Sequence, residues 1–161
     1  MDSGAPTAQS LTPFYAGWEA YNRLLIEAVA PLTPDQLALR VASNERSILE
    51  IAGHIVSARA WWFHGIMQAG DADVEEFYTW DDENPPTLKA AQLEIGLETT
   101  WRMIATSLAQ WTPADLGATF TTRHGELSRQ WIIWHVIEHD LHHGGELSLT
   151  LGAHGLRAPD L

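Results

Sequence analysis

Residues Trp131–Leu151, WIIWHVIEHDLHHGGELSLTL, restrict the possible folds of this chain more than any other stretch. There is no internal proline, and Trp131, Ile132, Ile133, Trp134, Val136, Ile137, Leu141, Leu147, Leu149 and Leu151 spread over most of a helical circumference. Such a helix must be packed among other elements. It also carries four of the chain's eight histidines: His135, His139, His142 and His143. At about 100° per residue, His135, His139, His142 and Glu146 fall in one arc, with His143 one step round from it. A buried polar seam needs either hydrogen bonds or a shared cation. Neutral imidazole is a common metal ligand, and both His135/His139 and His139/His143 have the i,i+4 spacing that lets two rings meet one ion.

The helices that would surround this one can be read from spacing and punctuation. Thr12-Pro13 opens a helix over 13–30, with Phe14, Trp18, Tyr21, Leu25, Ala28 and Val29 on its apolar side, and Pro31 ends it. Thr33-Pro34 starts a short turn. Ser47 and Glu50 form a capping-box signature before a second long helix over 47–68, which carries His54 inside it and His64 near its end. Thr87 is the expected cap of a third, with Ala90, Leu93, Leu97, Trp101, Ile104, Leu108 and Trp111 spaced by three and four. Between these two, residues 70–86 (GDADVEEFYTWDDENPP) have no helical period and read as a solvated acidic loop. A second Thr-Pro turn, TPADL, is followed by a connector with a brief extended piece, and Ser128 caps the histidine-bearing helix. The pattern predicts an all-α, antiparallel four-helix bundle forming a single domain over 1–161, with residues 1–10 frayed and the tail after Gly152 on the surface. Bundles hold metals with inward side chains on facing helices, which makes His54 the natural third ligand.

Composition narrows the partners. The net charge is −12, and one lysine and eight scattered arginines offer no basic face, so nucleic acid is not an expected partner. No apolar run reaches the roughly 20 residues of a membrane span, and MDSGAPTAQS lacks the regions of a signal peptide, which predicts a cytoplasmic protein without a membrane partner. With no cysteine, any metal must be held by histidine and carboxylate. The eight tryptophans, several of them at helical apolar positions (Trp18, Trp61, Trp62, Trp101, Trp131, Trp134), are expected to fill the core.

Two segments, LEIAGHIVSARAWW (Leu49–Trp62) and HVIEHDLHHGGEL (His135–Leu147), resemble the DinB-like, or YfiT-like, superfamily of metal-dependent enzymes, and the likeness in helix order covers essentially the whole chain. The resemblance implies a three-histidine site formed by His54, His139 and His143, and so selects between the two i,i+4 pairs that spacing leaves open. Three protein ligands leave coordination positions free, as in catalytic rather than structural sites. By resemblance the ion would be zinc, nickel or iron. The chemistry would be S-transfer or isomerisation with a low-molecular-weight thiol, mycothiol or bacillithiol, acting on an electrophilic substrate, and the chain would be a homodimer. Two other readings fit the same ligands: a metal-dependent hydrolase using bound water, and a non-catalytic metal- or ligand-binding module of a stress response. Glu146 is the candidate general base. His135, Glu138 and His142 are candidates for pocket or supporting positions, with Asp140 also flanking a ligand. His64, His124 and His154 read as surface or loop residues. Gly144 and Gly145, which cost helix stability, read as sites of close backbone approach.

Overall fold

The computed structural model describes residues 9–83 and 85–159. The frayed segment expected over residues 1–10 lies mostly outside that range. The architecture is mostly helical with one small two-stranded sheet. A 3-10 turn at Thr12–Tyr15, started by Pro13, leads into α1 (Ala16–Val29), whose inner face carries Trp18, Tyr21, Asn22, Leu25, Ala28 and Val29. The short α2 (Pro34–Leu37) begins with a complete capping box between Thr33 and Gln36. α3 (Ile48–Ala60) begins with a second, in which the Ser47 amide donates to Glu50 and the Glu50 amide donates to Ser47 Oγ.

α3 is shorter than the helix predicted over 47–68. Its last two turns open into a π-helical segment, Trp61–Ile66, where the bulky run WWFHGI relaxes the winding. The acidic stretch is likewise not an open loop. Ala72–Asp81 winds as a 3-10 run that packs along α3 and buries Val74, Phe77 and Trp80. Alternation of buried and charged residues at this tighter pitch hides it from a search for the α-helical period. Trp80 enters because two helices present glycine to it: a Cβ at Gly96 would lie 2.6 Å from the Trp80 ring, and one at Gly53 would lie 3.3 Å from its carbonyl oxygen.

α4 (Ala90–Gln110) has Lys89 at its N-cap, two residues after the cap expected at Thr87. A 3-10 turn at Pro113–Gly117 and a hairpin follow. β1 (Thr119–Thr122) pairs antiparallel with β2 (Gly125–Ser128), and Gly125 at φ 101° supplies the left-handed turn residue. Ser128 ends the hairpin and caps α5 (Arg129–Ala153), accepting a hydrogen bond from the Trp131 amide.

α1 packs on α4, and α3 packs on both α4 and α5. The core is continuous through Leu25, Ile55, Phe63, Leu97, Ile104, Ile133 and Val136. The tryptophans divide between core and surface: Trp18 is buried, whereas Trp61 is 50% exposed and Trp134 60%. Trp131, Leu141 and Leu149 also reach solvent, so α5 is less enclosed than its composition suggests. Among the described residues, no helix is long and apolar enough to cross a membrane.

Candidate metal centre

α3 and α5 lie side by side, and their histidines meet where they touch. His54 Nε2 is 2.9 Å from His139 Nε2 and 3.1 Å from His143 Nε2. His139 and His143 are one helical turn apart on α5, which brings their ring centroids to 4.3 Å. The expected arc is therefore turned by one position. His143, not His142, faces inward, and His142 is exposed.

The outer nitrogens decide what the inner ones can be. His143 Nδ1 donates to Glu146 Oε2 at 2.7 Å, which leaves its Nε2 as a lone pair. Asp81 Oδ2 stands 2.7 Å from His54 Nδ1, a close contact out of line for a hydrogen bond, and a proton on Nδ1 would face this carboxylate. His139 Nδ1 is buried without a partner. Lone pairs facing one another at about 3 Å repel unless a proton or a cation sits between them. An ion with bonds of about 2.0–2.1 Å to each nitrogen would separate the nitrogens by roughly 2.9–3.4 Å, so the donor set fits a divalent ion. His54, His139 and His143 could hold one among them.

Electrostatics favour the neutral, ligating form. Burial, reinforced by the neighbouring imidazoles His143, His54 and His135 and by Arg46, pushes the His139 pKa down to about 3. Burial also lowers that of His143, against the opposing pull of Glu146. Burial alone would raise Glu146, but the His143 hydrogen bond and the positive groups around it bring its pKa below the usual carboxylate value.

The other predicted positions fall around this centre. His135 stacks on Trp131 at 4.8 Å and meets Trp62 edge-on at 4.9 Å, forming an aromatic wall one turn before His139. Glu138 is an exposed carboxylate 3.8 Å from His135 Nδ1. His142 Nε2 lies 3.5 Å from the other oxygen of Glu146. His64 is tied to the Tyr78 hydroxyl at 2.6 Å.

Asp81 and Arg59 escape sequence reasoning, and Asp140, expected only as a carboxylate flanking a ligand, pairs with Arg59 instead. Asp81 comes from the acidic stretch and is delivered to His54 by its neighbour Trp80. Arg59 and Asp140 are both fully buried and form a forked ion pair, with Nε 2.9 Å and Nη2 2.7 Å from Asp140 Oδ2. Trp18 Nε1 donates to the same oxygen at 2.6 Å, and Asn22 accepts from Arg59 Nη1 at 2.7 Å. This network ties α1, α3 and α5 together at the residue next to His139. The only hint in the sequence is a charged residue on an otherwise apolar helix face.

A model of the DinB family matches residues 8–161. The fold is similar to that of a DinB-like protein from Bacillus cereus, with a TM-score of 0.74 and 18% identity over 96% of this chain and 99% of that one. It is also similar to the DinB-like protein YjoA of Bacillus subtilis, with a TM-score of 0.66 and 16% identity over 92% and 96% of the two chains. Among curated proteins, no sequence matches.

Proposed function

The chain belongs to the DinB family, and we propose that it is a divalent-metal-dependent enzyme, built on an antiparallel four-helix arrangement, that uses a low-molecular-weight thiol to transfer sulfur to, or isomerise, a small electrophile. The observation that carries this reading is the convergence of three Nε2 atoms, two of them on rings whose opposite nitrogens face carboxylates. A metal ion bound there would supply Lewis acidity, lowering the pKa of a thiol brought to its open positions. The protein's own groups do the rest. Burial holds His139 and His143 in the neutral, ligating form. Glu146 and Asp81 fix ring orientation by contact with outer nitrogens, which supports a positioning role for Glu146 rather than that of a base. The Trp131–His135–Trp62 wall offers aromatic surface beside the centre.

The test is metal content by inductively coupled plasma mass spectrometry on untagged protein, set beside His139→Ala and His54→Ala. About one divalent ion per chain, lost in both variants while helical circular dichroism persists, is the expected result. Retention of stoichiometric metal by either variant would overturn the ligand assignment. Turnover of electrophiles that requires added thiol then separates the proposed chemistry from hydrolysis.

A further inference from the structure

A cavity of about 530 Å³ lies between the 41–46 connector, the start of α3 and the second half of α5. Its lining includes Val41, Arg46, Ile51, Glu146 and Leu149. It adjoins the histidine triad through Glu146, the residue bonded to His143, and Ile51 is one turn before His54 on α3. Val41 and Leu149 are 43% and 63% exposed, so two of the protein's large solvent-facing apolar side chains converge on one hollow. Exposed apolar surface gathered in a concavity beside polar groups has the character of a ligand site.

The charges in this cavity differ from those elsewhere. The smaller cavities lined by Arg102, Arg157 and Arg40 each contain a guanidinium already paired, with Asp73, Glu27 and Glu50 respectively. Among the described residues, Arg46 has no carboxylate within ion-pair distance. The cavity's two carboxylates are engaged, Glu45 by the Asn44 amide and Glu146 by His143. Arg46 shares this cavity with Glu146, the residue bonded to His143. A lone guanidinium fork matches one carboxylate in two parallel hydrogen bonds. A dianion such as a phosphate monoester would be disfavoured by the two glutamates beside it.

We infer that Arg46 anchors the carboxylate of a small monoanionic substrate in this cavity, with the substrate's apolar body on Val41, Ile51 and Leu149 and its other end directed toward the histidine centre. This deepens the reading of the preceding section and rests on it for the identity of the reacting end.

The experiment titrates butanoate, hexanoate and phenylacetate, each beside its primary amide, into wild-type, Arg46→Gln and Arg46→Lys protein by calorimetry and amide chemical shifts. It is done with metal-free and with metal-loaded protein. At least one carboxylate should bind in preference to its amide, about tenfold more weakly to Arg46→Gln and to an intermediate degree with Arg46→Lys. The dependence on Arg46 should persist without metal, and metal content should be unchanged by either substitution. Equal binding of acid and amide, affinity indifferent to Arg46, binding only when metal is present, or no binding across the series would each overturn the assignment. Failure to take up metal, with the Arg46 effect intact, would instead count against the metalloenzyme reading alone.

Discussion

Glu146 serves two masters at the scale of one residue: it accepts from the outer nitrogen of His143 and it borders the cavity where Arg46 stands. Because a carboxylate on the far side of a ligating imidazole raises its basicity and fixes its orientation, Glu146→Gln should weaken metal affinity about 10–100-fold in a competition titration with a chromophoric chelator. Asp81→Asn should weaken it less, since the Asp81 contact is out of line. An unchanged affinity in both would remove the carboxylates from the centre's design. His139 gives a pH dependence of definite sign. In metal-free protein the unfolded chain protonates this ring near 6.5, whereas the folded chain does so only near about 3. Between those values the unfolded state binds more protons, so stability falls as pH drops through the interval and levels off below it. His143, shifted the same way, adds to the slope. Thermal melts of metal-free protein should show Tm declining across this window and a flatter profile in His139→Gln; a pH-independent Tm would contradict the assignment.

Among the elements, α5 shows how glycine can mean different things at adjacent positions. A Cβ at Gly144 would overlap the Tyr21 hydroxyl of α1, whereas Gly145 has nothing near it. Gly144→Ala should therefore destabilise by about 1–3 kcal/mol, partly relieved by Tyr21→Phe, while Gly145→Ala should stabilise by up to about 1 kcal/mol in chemical denaturation. Equal effects of the two would show that helix propensity, not the approach of α1, governs this turn. The sequence suggests close backbone approach at both glycines, and only Gly144 has it. The same division runs through the whole prediction. His54, His139 and His143 come together because they stand on helices with a clear period, and period converts spacing into direction. The DinB likeness was needed to choose His143, since two i,i+4 pairs are equivalent on a helix drawn in isolation. Asp81 was hidden because its 3-10 run has no α-helical signature and its acidic neighbours do face water. Arg59, and its pairing with Asp140, were hidden because a charge in a sequence looks the same whether it is solvated or has its partner 81 residues away.

For the molecule as a whole, the Arg59–Asp140 pair is where α1, α3 and α5 are held in a common register. Each partner is wholly buried, so removing one leaves the other's charge uncompensated. Asp140→Leu alone should cost about 3–5 kcal/mol. Replacing both, as Arg59→Met with Asp140→Leu, should recover much of that in urea denaturation, though not the orientation of His139, which metal affinity would register separately. A double variant no more stable than Asp140→Leu would point to the Trp18 and Asn22 bonds as the dominant part of the network. The triad itself joins distant parts of the chain: His54 and His139 are separated by 85 residues. A chain made from its N-terminus first exposes a solitary imidazole for most of its synthesis, and acquires the other two only when α5 emerges and docks. An ion captured at this centre would therefore enter only as the last step of maturation, because a fragment lacking α5 carries one of the three donors.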